Sequence, residues 1–388
     1  MAKIVFAFWK CVRTLGWLAG RLVFPIAGAA CVVSAAASAE IAPGTAVPFA
    51  TPASGYLPAR AWVNAPRTAG RLTSAELGLV INTADPYSVE VGEFYAAARK
   101  LSAAQVLRVE LPVKAVLTPE EFAALTAKID AHFGERTQAL ALAWTVPYAV
   151  NCNSITGALA LGFDAALCAH SCAPSRLSRY FNSATTKPRR DLKIRPSMLL
   201  AAHDVAAAKA LIERGVSSDR TLGLRGAPPV HAHYLVTNDR ARSVRAALFP
   251  PPGLLRREGI EVHVDTQQAL EGASRLLLYQ TGLPRVDKLE TLNWVPGAVA
   301  DHLTSFGGQL DARSGQMSVL EWIGSGATAS YGSVSEPCSH VQKFPHPQLL
   351  LLHYMQGSTV IEAYWKSVAW PQQGVFVGEP LAAPFARQ

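Results

Sequence analysis

The sequence predicts an α/β fold in which a mainly parallel sheet lies between two layers of helices. From about residue 77 onward, short apolar runs alternate with capped, amphipathic helices, and this alternation is typical of parallel sheets covered on both faces. Half of the 388 residues are hydrophobic and 16% are charged, so the chain can bury a large core. We expect a signal peptide at 1–39, a loose leader at 40–76, and an α/β domain at 77–388.

The first 39 residues have the pattern of a secretory signal peptide. Four basic and no acidic residues lie within positions 1–22, and an apolar run then ends in the small residues Ala37-Ser38-Ala39. This run is short for a membrane span and contains Pro25, so cleavage is favoured over an anchor and over a lipoprotein site at Cys31. The expected location is periplasmic or extracellular, with no stable membrane span after cleavage.

The charge of the chain argues against a nucleic-acid partner. Four of the 36 basic residues and none of the 28 acidic ones lie in residues 1–39, so the formal charge falls from +8 to +4 once that segment is removed. No run of Lys and Arg with interleaved aromatic residues remains. The oligomeric state is left open.

Four cysteines follow the signal segment, and in an oxidising compartment an even number favours disulfides. Three pairings are possible, and the spacing does not choose between them. A metal site is the alternative, because Cys168 and Cys172 would share a helix face close to His170. Disulfides are favoured because the paired C-x₂-C spacing is absent. The four residues are Cys152, Cys168, Cys172 and Cys338.

The first half of the domain shows three strand-like runs and two helices. Residues 79–81, 106–111 and 139–146 are apolar and strand-like, and residues 94–101 are helical in pattern. The clearest helix begins at Thr118, with Pro119 in its first turn and Glu121 completing a capping box.

Residues 148–200 interrupt this alternation. They hold three of the four cysteines and several Asn and Pro residues, so we predict an insertion fastened by disulfides. A helix capped by Asp204 then restores the pattern. Further strands are predicted at 233–237, 260–264, 276–279, 294–300 and 327–334.

The densest polar group follows the last two of these strands. Ligands of open α/β sheets bind beyond the carboxyl ends of the strands, and a histidine oriented by a carboxylate can activate a hydroxyl or thiol. His302 is therefore the candidate general base, Asp301 or Glu336 its orienting carboxylate, and Ser305 or Cys338 the candidate nucleophile.

Each candidate also has a structural explanation. Adjacent strand residues point to opposite faces, so Asp301 and His302 need not share a cleft, and Asp301 could cap the following helix. Cys338 is more simply half of a disulfide to the insertion. A zinc ion at His302 is a further hypothesis.

No cofactor or metal site is predicted. No phosphate-binding glycine loop follows the first strand. His231 and His233 point the same way along a strand and could bind a metal, but no carboxylate or cysteine lies beside them in sequence, which favours an ordinary strand face.

Several longer stretches resemble a bacterial family that occurs together with exosortase, the membrane enzyme proposed to sort surface proteins with a C-terminal Pro-Glu-Pro anchor. The resemblance covers the chain from about residue 77. It implies a surface or exopolysaccharide context and no particular substrate. The stretches are 153–156, 195–200, PGAVADHLTSFGG (296–308), ATASYGSVSEPC (327–338) and GEPLAAPF (378–385).

More distantly, the strand order and the closing Gly378-Glu379-Pro380 are similar to gingipain-type cysteine peptidases of the caspase-like fold. That resemblance implies a caspase-like topology, with a Gly-His-Gly after one strand and a Cys after the next. Here the corresponding positions are 280–282 and 300–302, and neither the His nor the Cys is where that dyad requires it. The expected dyad is therefore missing.

Two functional hypotheses follow. One is an exported hydrolase-like protein acting through the five candidate residues. The other is a non-catalytic binding or assembly factor that recognises surface proteins or exopolysaccharide components.

Overall fold

The structure is a computed structural model and describes residues 61–311 and 313–387. The predicted signal peptide at 1–39 and the leader up to residue 60 lie outside the described residues. Within the described part, no helix is long and apolar enough to cross a membrane.

The described part contains fourteen strands and nine α-helices. The strands are β1 (Leu77–Asn82), β2 (Val106–Val109), β3 (Val116–Leu117), β4 (Ala139–Leu142), β5 (Ala149–Val150), β6 (Asn153–Ser154), β7 (Ser197–Leu199), β8 (Val230–Val236), β9 (Gly253–Leu255), β10 (Ile260–Thr266), β11 (Leu276–Thr281), β12 (Trp294–His302), β13 (Ala329–Ser333) and β14 (Gly374–Gly378). The helices are α1 (Pro86–Arg99), α2 (Pro119–His132), α3 (Ile155–Leu161), α4 (Ala166–Ala169), α5 (Pro188–Leu192), α6 (Val205–Ser218), α7 (Leu320–Ser325), α8 (Pro347–Met355) and α9 (Val360–Ser367).

Eleven of the strands form one large sheet in the order β2-β1-β4-β7-β14-β13-β12-β11-β8-β10-β9. Most neighbours are parallel, while β9 and β14 run antiparallel to β10 and β13. The same strand order occurs in both halves of the chain. In the first half β2 lies on the outer side of β1, in the order β2-β1-β4-β7, and in the second half β10 lies on the outer side of β8, in the order β10-β8-β11-β12. The predicted mainly parallel α/β sheet is therefore confirmed.

Helices cover both faces of this sheet. Trp322 of α7 contacts His302 on one face of β12, and α6 packs against both α1 and α7. On the other face, Trp365 of α9 stacks on Phe376 of β14 at 4.4 Å between ring centroids. Since consecutive strand residues alternate between faces, the two helix groups lie on opposite sides. The predicted three-layer arrangement is confirmed, and its caspase-like topology stays a prediction.

The local signals for α2 act as predicted. The Thr118 hydroxyl accepts from the Glu121 amide, and the Glu121 carboxylate accepts in return from the Thr118 amide at 2.7 Å. The helix buries Phe122, Leu125 and Ile129 on one face, as their spacing requires.

The predicted insertion holds two disulfides, which confirms the disulfide prediction. Cys152 pairs with Cys168 within the insertion, and Cys172 pairs with Cys338 beyond β13, 166 residues later. The thiolate metal site considered at Cys168 and Cys172 is excluded, because both sulfurs are bonded. The predicted boundary at 200 is too late, since Ser197–Leu199 pairs with β4 in the main sheet.

The described part of the leader is fastened to the domain. The Val63 amide donates to Gln348, the Leu72 amide donates to Glu362, and the Leu72 side chain is buried. From residue 61 onward the leader therefore lies against the helices of the domain. The sequence had predicted a loose segment here.

The closing Gly378-Glu379-Pro380 has a structural role. Glu379 is fully buried and accepts a two-pronged bond from Arg99, at 2.9 and 2.5 Å, as well as a bond from the Tyr95 hydroxyl. Arg99 also pairs with Asp219 at the end of α6. These bonds tie α1, α6 and the C-terminal segment together.

Candidate metal centre

Asp301, a predicted orienting carboxylate, forms a buried ion pair with Arg245. Its side chain is 1% exposed; Oδ1 accepts from Arg245 Nη1 at 2.5 Å, and Oδ2 accepts from the Gln280 amide at 2.7 Å. Burial raises the pKa of the Asp301 carboxyl, while the Arg245 guanidinium and the Gln280 amide oppose this change. Asp301 therefore balances a buried arginine and does not orient His302.

His302, the predicted general base, points to the opposite face of β12. Trp322 Nε1 donates to His302 Nδ1 at 2.9 Å, and Nε2 lies 3.2 Å from the Met317 carbonyl. Because the indole N–H can only donate, Nδ1 is the acceptor and the ring proton resides on Nε2. Burial lowers the pKa of His302 to about 3. Both nitrogens are occupied, and the ring is neutral at pH 7.

The remaining candidates lie in two loops. The Ser305 carbonyl accepts a bond from Ser333, and Glu336 accepts from the backbone amide of Cys338 at 2.8 Å. The role of Cys338 as a thiol nucleophile is corrected, because its sulfur is bonded to Cys172. No hydrogen bond within the described residues joins His302 to Asp301, Ser305 or Glu336.

The five candidates therefore do not form a nucleophile, base and carboxylate in hydrogen-bond contact. The catalytic role of Asp301, His302, Ser305 and Glu336 stays a prediction, and their hydrogen bonding does not support it. Zinc at His302 is likewise unsupported, because neither ring nitrogen is free to bind an ion.

A different group, the histidine cluster of His231, His233 and His263, has the features of a metal centre. His231 and His233 lie two residues apart on β8, and parallel pairing sets His263 of β10 beside His233. One nitrogen from each ring lies within 4.8 Å of the other two. His231 Nδ1 and His263 Nε2 are 3.0 Å apart, and the rings of His233 and His263 stack at 4.4 Å.

Two carboxylates flank the histidine cluster on the same face of β10. Glu261 Oε2 lies 3.6 Å from His231 Nδ1 and 3.9 Å from His263 Nε2, while Asp265 Oδ2 lies 3.8 Å from His233 Nδ1. Carboxylates in these positions can act as a further ligand or hold a ligating ring by its second nitrogen.

The electrostatics keep two of the rings neutral. Burial, together with the nearby His263, lowers the pKa of His231, although Glu261 opposes this change. Burial, together with the nearby His263 and His231, lowers the pKa of His233 to about 4. Neutral imidazole is the form that binds a metal ion, so these rings need not lose a proton to bind at pH 7.

Solvent access and an unused nitrogen complete the description of the histidine cluster. The three side chains are 25%, 13% and 30% exposed in sequence order, so an ion can reach them from water. His233 Nδ1 is nevertheless buried and has no hydrogen-bond partner within the described residues. A buried polar atom without a partner calls for an explanation, and an ion bound beside it would supply one.

The residues fit a divalent transition metal. Imidazole suits zinc, copper and nickel, and a tetrahedral zinc ion with Zn–N bonds of about 2.0–2.1 Å needs nitrogens roughly 3.3 Å apart. The cluster has one nitrogen pair at 3.0 Å, and all three ligand nitrogens lie within 4.8 Å of one another. A His₃ set leaves a fourth position for Glu261 or for water.

The sequence already contained most of this information. The pair His231 and His233 offered two possible ligands on one strand face, although the sequence favoured an ordinary strand face, and residues 260–264 were predicted to be a strand. The missing step was that β8 and β10 are neighbours, which places His263 and Glu261 beside that pair although they lie about 30 residues away along the chain.

Comparisons with protein-family models, with curated protein sequences and with solved structures found no match for this chain.

Proposed function

We propose that the protein is an exported envelope protein that binds a divalent transition-metal ion, zinc fitting best, through His231, His233 and His263. The observation that carries this proposal is the three-histidine geometry on β8 and β10, together with the buried, unpartnered Nδ1 of His233. Each ring supplies a nitrogen to one small volume, so a single ion placed there would contact all three.

Export is part of the proposal and is supported by two lines of evidence. The N-terminal residues have the pattern of a signal peptide, and two disulfides are present in the domain, which is typical of proteins from oxidising compartments. The association with exosortase-type surface sorting is a further proposal, carried by the sequence resemblance alone.

The hydrogen bonds of Asp301 and His302 favour the non-catalytic hypothesis at that end of the sheet. A general base needs a nitrogen free to take a proton, and His302 uses both of its nitrogens within the core. We therefore propose a binding or assembly role, in which the metal ion secures the outer strands β8 and β10 or offers its open position to a partner.

The decisive experiment measures zinc binding to the chain without residues 1–39 and without a histidine tag. Titration calorimetry should show one zinc ion per chain. His263→Ala should weaken binding by at least about tenfold, because one of three ligands is lost. Cobalt in place of zinc should give the visible absorption of a tetrahedral ion, and this absorption should be lost in the variant.

His203→Ala is the matched control, because His203 also lies beside a carboxylate, 3.3 Å from Glu321, but outside the histidine cluster. It should bind zinc as the wild type does. The proposal fails if the wild type binds no stoichiometric zinc, or if His263→Ala binds as tightly as His203→Ala.

A further inference from the structure

Three adjoining cavities form a groove whose lining contains none of the three histidines of the cluster. The largest has a volume of about 570 Å³, and a second of about 330 Å³ shares Arg257, Glu258 and Arg387 with it. A third, of about 240 Å³, is joined to the largest by Arg71. We call this surface the basic groove. Its lining includes Arg99, which is paired with Asp219 and Glu379, and six further cations: Arg67, Arg71, Lys100, Arg220, Arg257 and Arg387.

None of these six cations is neutralised. In the part of the chain that the structure describes, none of them has an ion pair or a side-chain hydrogen bond. The groove also contains two carboxylates, Glu258 and Asp219, and Asp219 already pairs with Arg99 at 2.6 Å. An unbalanced positive surface remains, in a protein whose other arginines, such as Arg245 and Arg195, mostly pair with carboxylates or carbonyls.

Part of the basic groove lies at the amino ends of β8 and β10, which are parallel neighbours. Arg220 precedes β8, and Arg257 lies in the turn that leads into β10. His302 and Asp301 end β12, so they lie at the carboxyl end of their strand. The groove is thus separate from the residues that sequence patterns singled out.

The chemistry of the groove selects a particular kind of ligand. Guanidinium groups bind carboxylates and phosphates through two parallel bonds, and cations spread over three adjoining cavities match several anionic groups along one molecule. Nucleic acid fits poorly because Phe385 is the one aromatic residue among the described residues that line the groove, and single strands bind by stacking on aromatic rings.

In the largest cavity the lining between the cations is mostly polar or small, whereas the second cavity also contains Leu222, Leu224, Met355 and Phe385. Thr68, Gln356, Gly70 and Gly357 line the largest cavity, and they offer hydroxyl, amide and backbone groups to a hydroxyl-rich chain. An acidic peptide would use the apolar side chains of the second cavity instead, so the test below includes one. We propose that the basic groove binds an extended acidic polysaccharide, with carboxylates on its sugar units held by the arginines.

This proposal is tested with three probes of equal length. Hexagalacturonate carries one carboxylate per sugar, maltohexaose carries none, and a hexaglutamate peptide carries six carboxylates on a different backbone. Calorimetry or fluorescence titration at low salt should show binding of hexagalacturonate, weakening as salt is added, and little binding of the other two probes.

The variant Arg257→Gln/Arg387→Gln removes two cations shared by the two larger cavities and should weaken hexagalacturonate binding by at least about tenfold. Arg240→Gln/Arg285→Gln is the matched control. It removes the same charge from exposed arginines outside the groove and should change the Kd less than twofold. All four side chains are exposed, so both variants should fold.

Equal loss in the two double variants would show attraction to net charge and overturn the proposal. Equal binding of hexaglutamate would assign the groove to acidic peptides instead. Absence of hexagalacturonate binding to the wild type would also end it. None of these outcomes depends on zinc, so failure here leaves the metal proposal standing.

Discussion

Two polar clusters on the same sheet contain the same types of residue in different physical surroundings. At the end of β12, Asp301 and His302 are buried and every ring nitrogen and carboxylate oxygen has a partner. On β8 and β10, the histidine cluster is partly open to solvent, and one buried nitrogen has no partner. Around Asp301, Arg245 Nε and Gln280 Oε1 also lack a hydrogen-bond partner within the described residues, so the clusters differ chiefly in their access to solvent. Dry polar groups hold a structure together, whereas polar groups within reach of water are available for a ligand.

The largest effect should come from breaking the β12 cluster. Asp301→Ala leaves the Arg245 guanidinium buried without its counter-ion, and removal of one partner of a buried pair costs about 3–5 kcal/mol. Chemical unfolding of the purified domain measures this loss in the free energy of unfolding.

Glu93→Ala provides the comparison, because it breaks the pair with Arg108, in which both side chains are about half exposed. Exposed pairs contribute about 0–1 kcal/mol. A loss in Asp301→Ala no larger than that in Glu93→Ala would contradict the structural role of Asp301.

The next effect concerns pH. Burial holds the pKa of His302 at about 3, so the folded ring stays neutral while the unfolded ring takes up a proton below about pH 6.5. The free energy of unfolding should therefore fall as the pH falls from about 6.5 towards 3 and be insensitive to this group above that window. Unfolding at a series of pH values measures the slope.

His302→Gln should be less stable at pH 7 by about 1–3 kcal/mol, because Trp322 Nε1 loses a well-placed acceptor. It should also lose less stability than the wild type between pH 6.5 and 3. Burial lowers the pKa of His353 to about 3 as well, so some slope should persist. An unchanged slope in His302→Gln would contradict a neutral, buried His302.

The third effect tests the open cluster. Without metal, His263→Ala should change the free energy of unfolding by less than about 1 kcal/mol, because the ring is 30% exposed and leaves no cavity in the core. At free zinc of about 100 times the Kd, the wild type should gain roughly 2.7 kcal/mol and the variant much less. A large loss in the metal-free variant would instead make the cluster a packing element.

Sequence patterns captured the fold where local rules decide it. The capped helix α2 and the strands β1, β8, β10, β11 and β12 were predictable, because periodicity and caps act within a few residues. The helices α8 and α9 were missed. Helix α8 is apolar on nearly all sides, so no polar face marks it as amphipathic. Helix α9 does carry local signals, a capping box from Thr359 to Glu362 and the polar pair Glu362 and Lys366 one turn apart, so it was predictable in principle.

The candidate sites show the limit of sequence patterns more sharply. Asp301 and His302 are adjacent in sequence but are separated by the sheet, while His231 and His263 are distant in sequence but 3.0 Å apart. Strand order determines both outcomes, and strand order depends on packing between segments far apart in the chain. Disulfides could likewise be predicted from the even number of cysteines. The pairing of Cys172 with Cys338 could not, because the sequence allowed three pairings.

The smallest effect is expected at Ser305, and it tests the β12 cluster for catalysis. The backbone carbonyl of Ser305 accepts a hydrogen bond from the Ser333 hydroxyl at 3.0 Å. Ser305→Ala keeps this carbonyl and removes only the side-chain hydroxyl. The free energy of unfolding should change by no more than about 0.5 kcal/mol. Ser333→Ala should cost more, because the buried hydroxyl donates to the carbonyls of Thr304 and Ser305.

A serine-reactive fluorophosphonate should label the wild type and Ser305→Ala equally weakly, since His302 has no free nitrogen to activate a hydroxyl. Labelling that disappears in Ser305→Ala would show that the polar groups beyond β12 are catalytic, and the contrast between the two clusters would then no longer separate structure from function.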